Sequence, residues 1–387
     1  MLADTETGSV VAAAQGGAEW GYRLLPLQLA MIPALFFAQD VAIRLGLGTG
    51  MGGAELILNR FGRVAAWICL AALALSCFGA LVTELSGLAA VGQLFGLPGW
   101  EVLSGVTILL IAIVCTGTYH AVERVALAFG LCELAFLVVA WQAHPHLGHL
   151  AQAVASQPLD NPRYLYLLAA NLGTSVMPWT VFYQQSAIMD KGLSPDHLSV
   201  ARGENLGGAI LCQIITAAVL IAACAVTQGQ GGESFDSVAD IAAAFSHTLG
   251  GTVGRMVFGL GLAGGSLVAA IVVCLTVAWA VGEARGRRHS LEQHPGQAPW
   301  FYVSFAVLLL AAALLVGSGL PLLRLSLAVG VLNALLLPLV LGVLFVLACR
   351  LPQRPYRLGA MERLAIGGVF LLTAALAVYA GVMGCMQ

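Results

Sequence analysis

Two short stretches hold the residue types that could do chemistry. At the front, Asp4 and Glu6 stand among Thr5, Thr7, Gly8 and Ser9, directly before an apolar helical run that ends near Gly21. In the middle, LYLLAANLGTSVMPWTVFYQQSAIM at 165–189 is long enough to cross a bilayer, yet Gly173, Thr174, Ser175 and Pro178 interrupt it. A proline inside a helix removes a backbone hydrogen bond and clashes with the carbonyl four residues earlier, which predicts an opening from Thr174 to Trp179. Unpaired carbonyls at membrane depth persist only where protein or a substrate site covers them. A single proline often does no more than kink a membrane helix. Two interrupted apolar segments together are the stronger sign of a binding site between inverted repeats.

The donor atoms at the breaks define a chemistry. The first supplies two carboxylates and neighbouring hydroxyls. The second supplies the carbonyls around Thr174, the hydroxyls of Thr174, Ser175 and Thr180, and the thioether of Met177. Such an oxygen set suits a hard divalent cation, magnesium or manganese, and magnesium would keep several of its waters. If the Met177 sulfur faces the ion it favours manganese or ferrous iron; as an apolar gap-filler it is equally ordinary. Two acids at the first break argue against an anionic substrate, which leaves transport of an amino acid or other organic solute as the weaker alternative. No nucleophile or paired-histidine constellation lies in the spans, so the chain does not read as an enzyme. Nothing points to nucleic acid or a resident cofactor, and the ion would be cargo.

These residues must be positioned by membrane helices. The 387 residues are 59% hydrophobic and 9% charged, with mean hydropathy +0.91, the composition of an all-α, multi-pass membrane protein. Apolar spans are read at 23–46, 62–93, 101–118, 122–142, 164–187, 204–227, 254–283, 299–317, 322–348 and 363–384, which with the short helix at 7–20 makes eleven elements. With the front of the chain on the cytoplasmic side, thirteen of the 17 basic residues fall in inner segments and four, Arg23, Arg163, Arg255 and Arg324, fall outside. That bias obeys the positive-inside rule and supports the span count.

Several polar residues compete between function and structure. Glu84 and Glu133 lie within spans, where an ionisable group is costly and marks either an ion path or an interhelix pair. Asp40 reads as a satisfied charge beside Arg44, and Glu204, close to Arg202 at a span entrance, reads more towards a structural role. Asn333, ahead of Pro338, faces a central cavity or bonds across helices. Gln15, Glu84, Glu133, Asn171, Trp179, Thr180 and Asn333 are the further candidates to line a cavity or back the ligands. His144, His146 and His149 cluster in an outer loop, a weak metal signal that reads better as a solvated segment. No histidine falls in the middle of a span, so a proton relay would rest on carboxylates. The amphipathic run within 231–250 is expected to lie along the outer surface. The nine cysteines form no C-x-x-C pair and read as packing residues.

The residues also carry a family resemblance. GSVVAAAQGGAEWGYRLLPLQL with RLGLGTGMGGAELI resembles the first two spans of the Nramp divalent-metal transporters, and LGTSVMPW resembles their sixth-span motif LGATVMPH. ADTETGS, MPWTVFYQQSA and Asp190-Lys191-Gly192 are more similar to the Nramp-related magnesium transporter branch. The resemblance implies a LeuT-like fold of two inverted five-helix repeats, 1–142 and 163–349, plus an eleventh helix at 363–384, working by alternating access in the plasma membrane. It places Glu6 where the family's DPGN motif has its metal-binding aspartate, Gly8 at the motif glycine and Ser9 at its asparagine, with Asp4 alongside. It places Thr174 at a carbonyl ligand and Met177 at the methionine ligand.

The departures carry information too. Trp179 stands for the histidine after Met-Pro, Gln184 and Gln185 fall about where a second histidine would be, and Ala80 and Thr83 match the acidic pair on the third span, with Glu84 one place off. The expectation is therefore uptake of magnesium, and manganese, without proton coupling; a proton-coupled manganese or iron symporter is the alternative. Family members have a half-helix before the acidic break, whereas three residues precede Asp4 here. The sequence thus reads as lacking the first half-helix, with the site open towards the cytoplasm.

Overall fold

The computed structural model describes residues 4–115, 119–142, 156–193, 195–226, 234–286, 290–291, 293–319, 322–351 and 356–386. Its helices, in chain order, are α1 (Thr7–Trp20), α2 (Leu25–Thr49), α3 (Gly53–Leu94), α4 (Gly99–Val114), α5 (Tyr119–Gly130), α6 (Ala135–Gln142), α7 (Pro162–Ser175), α8 (Pro178–Asp190), α9 (Leu198–Val226), α10 (Val238–Leu249), α11 (Gly251–Arg285), α12 (Pro299–Gly317), α13 (Leu322–Cys349) and α14 (Ala360–Cys385). Among the described residues nine helical runs are long and apolar enough to cross a membrane, and Gly99–Val114 is a shorter apolar helix. The first run, Thr7–Thr49, is divided at Gly21, whose φ of 61° lies in the left-handed region open to glycine. Counting its two parts and the shorter helix gives the eleven elements expected from the sequence.

Three elements differ from expectation in form. The third span begins earlier, at Gly53, and a non-helical Gly62 (φ 81°, ψ 179°) sets its inner end apart from the span proper. The fifth span is not one helix: a 3₁₀ turn, Leu131–Leu134, joins α5 to α6 and carries Glu133. The outer run does not simply lie on the surface. It forms α10, started by a Ser237–Asp240 capping box, and buries Val238, Ile241, Ala242 and Phe245. Phe245 stacks edge-on against Phe258 of α11, with ring centroids 5.4 Å apart. The His144, His146 and His149 cluster lies outside the described residues.

Close approach of helices sets the frame of the site. A Cβ on Gly173 of α7 would sit 1.8 Å from the carbonyl oxygen of Gly330 on α13, so the two backbones meet where any side chain would hold them apart. α7 starts cleanly: the Asn161 side chain accepts from the N–H groups of Arg163 and Tyr164, and Pro162 occupies the first turn. The halves of the chain are also pinned by charge at the inner face. Asp40 Oδ2 accepts from Arg44 Nε at 3.0 Å and Asp40 Oδ1 from Arg202 Nε at 2.5 Å, while Arg44 also reaches Glu362 at 2.7 Å. Asp40 is thus the satisfied charge expected of it. Glu204 is exposed, and Arg202 pairs with Asp40.

The network gives a graded test. Asp40 and Arg44 are both buried, whereas Glu362 is 41% exposed. Breaking a buried pair costs about 3–5 kcal/mol, and an exposed partner is worth about 0–1 kcal/mol. Asp40→Asn should therefore lower the thermal unfolding midpoint in detergent clearly more than Glu362→Gln. Equal losses would show that Asp40 is not the hub.

Candidate metal centre

The first break is a short extended segment ahead of α1. Glu6 holds the N-cap position with φ −96° and ψ 176° and makes no side-chain cap bond. Its carbonyl accepts from Val10 N at 3.0 Å and from Ser9 Oγ at 2.9 Å. The cap is supplied from another helix: Glu84 Oε2 of α3 accepts from Thr7 N at 3.1 Å. A carboxylate at a helix N-terminus is favoured by the dipole as well as by the hydrogen bond. Thr7 Oγ1 in turn is hydrogen-bonded to Ser266 Oγ of α11. The Glu6 side chain folds back over Gly8, where a Cβ would lie 2.6 Å from Glu6 Oε1 and 3.4 Å from Thr174 Cγ2. Gly8 is therefore where the start of α1 packs against the last turn of α7.

The second break is two residues long. α7 ends at Ser175; Val176 (φ −130°, ψ 99°) and Met177 (φ −97°, ψ 140°) are extended; α8 resumes at Pro178. The expected opening from Thr174 to Trp179 thus narrows to its centre, because Pro178 is well placed in a first helical turn. The hydroxyls each donate to a nearby carbonyl: Thr174 to Ala170 and Asn171, Ser175 to Asn171, and Thr180 to Met177. A hydroxyl that has given its proton away keeps its lone pairs for a cation. Met177 and Trp179 are fully buried beside the break, and Trp179 Nε1 has no hydrogen-bond partner.

Acidic side chains gather here. Glu6 and Glu84 carboxyl groups meet, with Glu6 Oε2 and Glu84 Oε1 left without hydrogen bonds. Among the described residues no lysine or arginine pairs with either. Facing carboxylates in a low-dielectric interior need a positive charge or a proton between them. Among the same residues no three His, Cys, Asp or Glu side chains converge as a metal group, so a bound cation would draw on mixed donors, carboxylate with hydroxyl and carbonyl. Asp4, also buried, lines a cavity of 290 Å³ with Gln39, Thr180, Gln184 and Asn205. At its other end stand Glu204 and the Lys191–Glu123 pair, joined at 2.6 Å.

Three of the candidate residues are placed elsewhere. Gln15 donates to Glu19 at 2.5 Å and accepts from Phe235 N at 3.2 Å, next to the Glu19–Arg163 pair at the outer end. Asn171 is a strut: its Nδ2 donates to Ala12 O at 3.1 Å and its Oδ1 accepts from Gln28 Nε2 at 2.9 Å, tying α7 to α1 and α2. Asn333 bonds across helices, accepting from Ser76 Oγ at 2.6 Å, and this decides between its two sequence readings. Sequence reasoning missed Gly265 and Ser266, which sit in the small-residue run Gly264-Gly265-Ser266, a composition that marks close helix approach.

Comparison with known proteins agrees with this architecture. The sequence profile of the Nramp family, described as natural resistance-associated macrophage protein-like, matches residues 1–382. A Brucella suis divalent metal cation transporter, MntH, is 23% identical over 271 residues, which cover 66% of this chain and 59% of the relative; the chain thus spans about three fifths of that protein's length. A crystal structure of the Eremococcus coleocola manganese transporter superposes with a TM-score of 0.73 at 14% identity, over 97% of this chain and 83% of that one. MhsT in complex with L-phenylalanine superposes with a TM-score of 0.58 at 15% identity, over 97% and 98%. The fold is LeuT-like, and with a family match that runs nearly end to end this multi-pass membrane chain belongs to the Nramp family.

Proposed function

We propose that this chain forms the transport core of a divalent-cation transporter of the plasma membrane, carrying magnesium, and manganese, by alternating access and without coupling to protons. The observation that carries the reading is the close packing at Gly8, where the Glu6 carboxylate and the Thr174 methyl both lie against the glycine, with a second buried acid, Glu84, accepting from Thr7 N. Asp4, Glu6, Ser9, Thr174 and Met177 are the proposed ligands, with Thr180 at the cavity side and Glu84 behind Glu6. Two inverted repeats, 1–142 and 163–349, place one break each at the centre, and 363–384 packs outside them. The MntH relative and the manganese transporter of the same fold support a divalent cargo.

The magnesium preference rests on room and donor type. A cavity of 290 Å³ holds on the order of ten waters at about 30 Å³ each, enough for an ion that keeps much of its hydration shell. Carboxylate, hydroxyl and carbonyl oxygens are the donors magnesium accepts. The absence of proton coupling rests on Trp179: an indole donates one hydrogen bond and takes up no proton, so it cannot stand in for an imidazole. A proton-coupled manganese or iron symporter is the second reading, favoured by the buried acids Glu84 and Glu133 and by Met177 at the break.

Flux into proteoliposomes at an inside-negative potential tests both. Magnesium uptake with steady internal pH is expected, reduced about tenfold or more in Glu6→Ala, the scale of loss for groups that hold or support a metal. Manganese uptake with internal acidification and no magnesium flux would overturn the uncoupled reading. Met177→Ala should lower manganese uptake relative to magnesium, because thioether sulfur favours the softer ion; an unchanged ratio would remove Met177 from the ligand set.

A further inference from the structure

A cleft between α3 and α13 has no part in the transport reading. It is walled by Ile57 and Leu73 of α3 and by Leu344 and Leu347 of α13, and Phe182 of α8 also lines it. Its one amide side chain, Gln185, donates to Met51 O at 3.0 Å, which leaves an apolar lining. Leu339, on the same wall as Leu344, is 39% exposed, so the cleft opens on the outside of the helix bundle. In a membrane-spanning chain that side meets acyl chains.

Both walls run on into arginine. Arg60 and Phe61 follow Ile57 by three and four residues, so they stand one turn further along the same face of α3. Arg350 follows Leu347 by three, and its backbone N–H donates to Leu347 O at 3.1 Å, which carries the turn past the end of α13. The two walls meet there: Arg350 Cζ lies 6.0 Å from the centre of the Phe61 ring. A ring face orients a guanidinium without cancelling its charge. Arg63 comes next, past the non-helical Gly62. All three arginines are exposed, and among the described residues none of them pairs with a carboxylate.

We propose that this cleft binds one anionic phospholipid, with its phosphate on Arg350, Arg60 and Arg63 and an acyl chain laid between α3 and α13. A guanidinium presents paired donors that match two phosphate oxygens. Basic clusters between membrane helices take anionic head groups, and the long arginine stems reach such a group along apolar surface. A free phosphate would gain nothing from the apolar cleft beside the arginines; a lipid uses both. The positive-inside bias assigns this end to the cytoplasmic leaflet, whose surface is anionic.

Native mass spectrometry of the purified full chain, with dioleoyl phosphatidylglycerol or dioleoyl phosphatidylcholine added in detergent, tests this without any flux. One phosphatidylglycerol should stay bound where phosphatidylcholine is stripped, and excess inorganic phosphate should not displace it. Arg350→Gln should weaken retention about fivefold, the scale of one basic residue beside an anionic membrane. Adding Arg60→Gln and Arg63→Gln should abolish the preference. Arg324→Gln, an exposed arginine away from the cleft, should leave it intact. Ala72→Phe, which fills the cleft while keeping every arginine, should lower retention as well. An unchanged unfolding midpoint in phosphatidylcholine shows that each variant is folded. The proposal is overturned by equal retention of the two lipids, by a preference that survives the triple substitution, or by an equal loss in Arg324→Gln. Displacement by inorganic phosphate, or retention unchanged in Ala72→Phe, would overturn it too.

Discussion

The rest of the structure depends on the burial of acidic side chains with which, among the described residues, no lysine or arginine pairs. Glu6, Glu84 and Glu133 sit in the interior of a membrane protein, each with at least one oxygen that meets no donor. Such an arrangement is costly for ionised groups and calls for a positive charge or a proton at the carboxyl groups. The broken helices follow from the same need. A continuous helix satisfies its own carbonyls and offers nothing to a cation, whereas the extended residues at Glu6 and at Val176–Met177 interrupt that pattern. The glycines at positions 8 and 265 then let backbone and carboxylate approach to distances that a side chain would forbid.

The inner face shows the same chemistry with the opposite solution. Asp40 is as deeply buried as Glu6, yet two arginines converge on it and a third group, Glu362, balances the second charge of the cluster. A closed ion network of this kind fixes α2, α9 and α14 relative to one another and leaves nothing for a ligand to complete. Where arginine supplies the positive charge the acid is structural. Where no side chain supplies it, the acid is available to something that comes and goes.

This contrast explains which parts of the site were legible in the sequence. Helix breaks leave a local signature, Gly-Thr-Ser followed by proline, or a cluster of acids and hydroxyls ahead of an apolar run, and both breaks fall where those signatures stand. The span count follows from hydropathy in the same local way. What one strand of sequence does not encode is the partner across an interface. Gln15, Asn171 and Asn333 are all polar residues within helices, and nothing in their neighbours tells that they reach Glu19, Ala12 and Ser76 rather than the cavity. Gly265 and Ser266 were silent for the converse reason: glycine and serine are ordinary in membrane helices, and their role appears only when Thr5 and Thr7 are packed against them.

Trp179 joins these threads. An imidazole at this position could shuttle a proton between the ion site and the helix that follows; an indole fills the volume and donates at most one hydrogen bond. Here the ring is wholly buried and its Nε1 has no partner, so its contribution is bulk rather than relay. On the uncoupled reading, bulk at that point has a consequence. With Trp179 occupying the space beside the break, water and ion reach the site along the side lined by Asp4, Thr180 and Gln184, and an ion approaching that way meets oxygen donors before it meets the Met177 sulfur. Under the proposed function, that order of donors would favour the ion that keeps its waters longest, which among divalent ions is magnesium.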